Sequence, residues 1–255
     1  MISDVKLEYE EKLVAFVDIL GFSSLIGKIE EDEKLHKVLH WALTHINSYK
    51  RTSEMENTAH SDLEVSVFSD CIVVTSDMNN FHALVWAVGW LQAQLLGGGI
   101  LTRGGISIGK VHHSDGILYG SGMLNAYRIE NSAAVYPRIV LDPIFSVRLP
   151  EKYKSVFLSL DFDGLYYIDP FTFNGSIGDV TALVEDGWDP HEVYLDEVGR
   201  HIENGIASAK RVDHRSKWTW LAVRYSVARE AYLQTGETKL AQALKYTEQV
   251  NSAER

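Results

Sequence analysis

Two aspartates at the ends of apolar segments, and an asparagine three residues before an arginine, are the side chains whose types and spacing could do chemistry. Asp18 lies near the end of Leu13 to Ile19 (LVAFVDI), just before Gly21, and Asp70 lies within Leu63 to Thr75 (LEVSVFSDCIVVT). If these segments are neighbours in one sheet, the two carboxylates converge at one edge and can bridge hard cations. Such cations lower the pKa of an attacking hydroxyl and neutralise leaving phosphates. Asn125 and Arg128 offer an amide and a guanidinium from one helix face, a pair suited to a pentavalent phosphoryl group. Backbone N–H groups of Gly21, Phe22 and Ser23, at a break between strand and helix, can hold phosphate oxygens. Each feature also has an ordinary reading: Asp18 as a helix cap, Asp70 as a turn residue, and Asn125 with Arg128 as a solvated helix face.

The elements that must position these residues follow from periodicity. Leu13 to Ile19 predicts a buried strand. Apolar positions from Leu25 to Ile46 predict one or two helices between Ser23 and about Lys50, and Arg51 to Ser61 a polar loop. Leu63 to Thr75 predicts a hairpin with the acid at its tip. A helix over Phe81 to Leu96 ends at Gly97 to Gly99. Leu101 to Val111 predicts a strand, with His112 to Gly116 (HHSDG) as a turn leading back to Ile117 to Tyr119. Gly120 to Glu130 is a helix, Arg138 to Leu141 and Leu165 to Ile168 are strands, and helices are expected at 190–205, 208–233 and 236–250. This order predicts an α+β fold, a ferredoxin-like sheet with flanking helices. A core domain over 1–150 then carries a mostly helical C-terminal extension over 151–255.

Composition narrows the class. The chain has 255 residues, 45% of them hydrophobic, enough for a sizeable core. No apolar run approaches the roughly 20 residues of a membrane helix, because Phe81 to Leu101 is interrupted by Gln92, Gln94 and Gly97 to Gly99. No membrane association is expected. The acidic start, Met1 to Glu11, lacks a signal peptide's pattern, and the single Cys71 fits a reducing cytoplasm. A net charge of −11 argues against nucleic-acid partners and leaves metal ions to supply positive charge around a phosphorylated ligand. His112 and His113 read as solvated turn residues. His201, His214, Trp218, Trp220 and Tyr225 read as packing or dimer-interface groups, and Lys217 as a surface lysine.

The segments FVDILGFSSL, VFSDCIVV and RGGISIGKVHHSDGILYGSGMLNAYRIE, in this order, resemble the catalytic domain of class III adenylate and guanylate cyclases over roughly residues 13 to 141. The resemblance implies that Asp18 and Asp70, joined by the Ile19 carbonyl, hold two Mn2+ or Mg2+ ions per site. It implies that Asn125 and Arg128 stabilise the transition state from the other protomer of a homodimer. The reaction implied is attack of the ribose 3′-oxygen on the α-phosphorus of a nucleoside triphosphate, with pyrophosphate leaving.

The positions where purine cyclases of that family read the base are Ser66 and Ile117 here, so neither usual purine pattern is present. Over nearly its whole length, through Lys217-Trp218-Thr219-Trp220-Leu221, the chain is similar to the bacterial pyrimidine cyclases of the Pycsar antiphage systems. That likeness implies UTP or CTP as substrate, and a separate effector protein that binds the cyclic product. Tyr49 is the candidate for narrowing the base pocket, with ordinary packing as its other reading. An adenylate or guanylate cyclase with a divergent pocket, and a nucleotide-binding module without turnover, are the alternative functions.

Overall fold

The computed structural model describes residues 9–53, 63–114, 116–173 and 189–237. Strand β1 (Glu10–Ile19) leads through Gly21 into α1 (Phe22–Ile29) and α2 (Glu33–Ser53). The hairpin β2 (Glu64–Phe68) and β3 (Cys71–Ser76) follows, then α3 (Phe81–Gly97), β4 (Thr102–Ser114), β5 (Ile117–Gly120) and α4 (Ser121–Ala133). The chain continues with β6 (Ile139–Leu141), α5 (Pro143–Ser146), α6 (Glu151–Phe157), β7 (Leu158–Leu160), β8 (Tyr166–Ile168), α7 (Pro190–Ser208) and α8 (Val212–Thr235).

The sheet order is β2-β3-β1-β4-β6-β8-β7, with β5 paired to β4. Its first four strands pair antiparallel with one another and form the expected ferredoxin-like sheet, and β4 then pairs parallel with β6. The same sheet runs on past residue 150, because β8 pairs with β6 and β7 with β8. Two of the expected C-terminal helices are present as α7 and α8. Gly236, in left-handed conformation, caps α8, and the helix expected at 236–250 lies from residue 238 onward outside the described residues. The polar loop expected from Arg51 begins later, since α2 extends to Ser53.

Alternation along β1 decides what each sheet face meets. Leu13, Ala15, Val17 and Ile19 enter the main core under α2 and α3, while Val14 and Phe16 face the opposite side with Val73, Val111 and Ala126. Asp18 shares the parity of Val14 and Phe16, which places it on the α4 side. Helix α3 is apolar almost all round and is buried accordingly. A third cluster joins Leu96 and Leu101 to Tyr194, Val198, Trp220 and Leu221, and so seats α7 and α8 against the end of α3.

Helix α4 lies unusually close to the sheet because glycines line its seat. A Cβ at Gly105 would fall 2.8 Å from the Glu130 nitrogen, and one at Gly109 would fall 2.7 Å from the Gly122 Cα. Gly105→Ala should therefore destabilise the fold by about 1–3 kcal/mol through overpacking. Gly27→Ala, in α1 with nothing within 4 Å of the added methyl, should instead stabilise by about 0.5–1 kcal/mol. Urea midpoints at constant slope measure both, and equal effects would remove the glycine seat as the reason for this contact.

Candidate metal and phosphate site

The antiparallel register sets Asp18 of β1 across from Cys71 of β3 on one edge and from Arg103 of β4 on the other. The turn between β2 and β3 then brings Asp70 to the same end. Its carbonyl accepts the Ile19 amide at 2.9 Å, so the end of β1 is tied to the acid-bearing turn. Ser69 occupies this turn at φ 55, a left-handed conformation that glycine adopts more readily. That strain is carried at the residue that aims Asp70.

One ligand atom each from Asp18, Asp70 and Cys71 lies within 4.8 Å of the others. Burial pushes the Asp18 carboxyl above its ordinary range, aided by repulsion from Asp70 and opposed by Arg103. Burial likewise pushes the Cys71 thiol up to about 11, with Asp70 and Asp18 adding to the effect. A protonated thiol is a poor metal donor, whereas two carboxylate groups suit a hard divalent cation such as Mn2+ or Mg2+. The donor set therefore fits the expected ions through Asp18 and Asp70.

Beside this pair Gly21 adopts the left-handed conformation, φ 71, and caps α1 with its carbonyl bonded to the amides of Ser24 and Leu25. Gly21 and Ser23 are exposed, with Phe22 half-buried between them. The first N–H groups of any α-helix have no acceptor within the helix. This end of α1 can therefore take phosphate oxygens next to bound cations.

Asn125 and Arg128 lie one turn apart on α4, the amide half-buried and the guanidinium exposed, with Arg128 Nη1 3.5 Å from Asn125 Oδ1. Among the described residues the hydrogen bonds of these two side chains stay within α4, and neither touches Asp18 or Asp70 in the same chain.

Of the three base-pocket residues, Ser66 faces the α4 side of the sheet, and its hydroxyl bonds His113 Nε2 at 2.8 Å. Tyr49 lies on the other face, packed with the α2 and α3 core and edge-on to His45 at 5.4 Å. Ile117, on β5, is 57% exposed. No contact joins the three among the described residues.

The expectation of a solvated turn at His112 and His113 is corrected. Both belong to β4, paired with Tyr119 and Leu118 of β5. His113 is 7% exposed, and its Nδ1 lies 2.9 Å from the Thr75 hydroxyl, so it clamps the β4–β5 hairpin onto β2 and β3. Its neighbours in sequence are polar, and only strand pairing reveals its burial.

Sequence reasoning also missed Arg103 and Glu130. Arg103 Nε donates to Asp18 Oδ2 at 3.2 Å, and its Nη2 lies 2.6 Å from Glu130 Oε1, a close ion pair that is not aligned as a hydrogen bond. Glu130 is 2% exposed, and burial raises its pKa against the pull of Arg103. The one available signal is an arginine at an inward position of an otherwise apolar and glycine-rich strand start.

No family model matches the sequence, and no curated protein does. Solved structures give loose likenesses. A bacterial light-regulated adenylyl cyclase is 15% identical with a TM-score of 0.44, over 64% of this chain and 92% of that one. The adenylyl cyclase CyaB from P. aeruginosa is 16% identical with a TM-score of 0.42, over 64% and 96%. The monomeric guanylyl cyclase domain of the RhoGC fusion protein from the aquatic fungus Blastocladiella emersonii is 13% identical with a TM-score of 0.43, over 63% and 95%. Superpositions this loose do not assign chemistry, which has to come from the residues themselves.

The raised thiol pKa is directly measurable. Alkylation of Cys71 by iodoacetamide in metal-free buffer should be slow at pH 8 and rise about tenfold per pH unit towards 11, because only the thiolate reacts. A rate that levels off near the ordinary thiol value of about 8.5 would contradict the buried, carboxylate-flanked setting.

Proposed function

We propose that this chain is a metal-dependent pyrimidine nucleotide cyclase, converting UTP or CTP to the 3′,5′-cyclic monophosphate and pyrophosphate. The observation that carries the reading is the convergence of Asp18 and Asp70 at one end of the sheet, next to the Gly21 turn. Asp18 and Asp70, with the Ile19 carbonyl, would hold two Mn2+ or Mg2+ ions, which when bound activate the ribose 3′-hydroxyl and offset the charge of the leaving pyrophosphate. Backbone amides at Gly21, Phe22 and Ser23 orient the phosphate oxygens.

Among the described residues no hydrogen bond or ion pair joins the Asn125 amide or the Arg128 guanidinium to the carboxylates of their own chain. The reading therefore assigns them to the α-phosphoryl group held at the site of a second copy, in a homodimer with two composite sites. Ser66 and Ile117 argue against ordinary purine recognition because they replace the side chains expected to bond a purine edge, whereas Tyr49, packed in the core on the opposite sheet face from Ser66, takes the packing role. By its likeness to the antiphage cyclases, the product would act as a second messenger on a separate effector protein in the cytoplasm.

Asp18→Ala or Asp70→Ala should abolish formation of the cyclic product by removing a cation ligand, and Arg128→Ala should lower it by about 10² or more. Mixing the inactive Asp70→Ala and Arg128→Ala proteins should restore part of the activity through heterodimers that contain one intact composite site. Absence of rescue, with mixed dimers verified by mass spectrometry, would rule out the shared site.

A further inference from the structure

Arg103 sits between two carboxylates that belong to different elements. It reaches Asp18 on β1 through Nε at 3.2 Å and Glu130 on α4 through Nη2 at 2.6 Å. The Arg103 side chain is 26% exposed, that of Asp18 19% and that of Glu130 3%. A guanidinium does not lose its proton, and its several donors can span two acceptors. When Asp18 turns to a divalent cation, Arg103 must find its counter-charge elsewhere or move into solvent. Glu130 is the carboxylate already in contact with it. Its backbone is fixed against Gly105, where any added Cβ would strike the Glu130 nitrogen, so it offers a stationary partner.

We propose that Glu130 is a positioning residue for the carboxylate site, holding the Arg103 guanidinium that Asp18 releases when a divalent cation binds. Without Glu130, Arg103 has only Asp18 to pair with and competes with the cation for it. Because Glu130 lies two residues from Arg128, the exchange also connects cation loading in one chain to the helix that carries Asn125 and Arg128. The proposal rests on the metal reading of Asp18 and Asp70, and it needs no turnover to be tested.

The probe is Mn2+ alone, titrated into the full chain and followed by the electron paramagnetic resonance signal of the free ion. Glu130→Gln should weaken Mn2+ binding by about tenfold, a typical coupling within one charge network. Arg103→Gln should bind Mn2+ at least as tightly as the wild type, and Glu130→Gln combined with Arg103→Gln should match Arg103→Gln alone. A purely structural brace predicts the opposite pattern, with all three variants weakened and the double variant weakest. That pattern, or wild-type affinity in Glu130→Gln, overturns the proposal. Should Glu130→Gln fail to fold, Arg103→Gln still decides, because weaker binding there contradicts competition for Asp18. Asp18→Asn separates the two levels: if it binds Mn2+ as the wild type does, the metal reading itself has failed.

Discussion

Strand β1 is hydrogen-bonded along both edges, to β3 and to β4, and the whole candidate site takes its position from that double register. A shift by one residue would move Asp18 to the face packed by α2 and α3 and send Val17 and Ile19 towards α4. The cost of burying the Asp18 carboxylate in the main core opposes this, since Leu13, Ala15, Val17 and Ile19 fill that core and leave the other parity to Val14, Phe16 and Asp18. An acid can end such a strand on the α4 side at moderate cost because Arg103 stands directly across from it. The bond from the Ile19 amide to the Asp70 carbonyl then ties the second acid to the first.

Helix α4 is held from both ends by different means. Gly105, Gly109 and Gly122 let its backbone approach β4, so the helix cannot rotate without collision. Just past its C-terminus, the buried Arg138 bonds the Ala133 carbonyl at 3.2 Å and pairs with Asp161 and Asp163. Asp161 also accepts the Trp220 indole at 2.9 Å and pairs with Arg224. The C-terminal helices are thus fastened to the segment that follows α4, and breaking either partner would strand a buried charge. An exposed Arg128 on so firmly seated a helix is well placed to meet another molecule rather than its own chain.

Much of this was legible in the residues. LVAFVDI, LEVSVFSDCIVVT and the long apolar run from Phe81 gave their elements to within a few residues, because period and turn chemistry are local properties. The acid-bearing hairpin and the spacing of Asn125 and Arg128 were legible for the same reason. Arg103 and Glu130 were not, since 26 residues separate them and their pairing exists only once α4 lies on β4. His113 was misread because HHSDG has the composition of a turn, while tertiary pairing carries the strand to Ser114. The strand Leu158–Leu160 is too short to show a period of its own. Tyr49 and Ser66 could be placed near one another along the chain, but which sheet face each occupies is a property of the packed core.

The central claim is that Asp18 and Asp70 serve phosphoryl chemistry on a pyrimidine nucleotide. The most direct measurement is chromatography and mass spectrometry of the products after separate incubations of the purified chain and Mn2+ with ATP, GTP, CTP and UTP. The account predicts 3′,5′-cyclic UMP or cyclic CMP together with pyrophosphate. Cyclic AMP or cyclic GMP as the sole product would contradict the base assignment, and tight nucleotide binding with no pyrophosphate from any of the four would contradict catalysis.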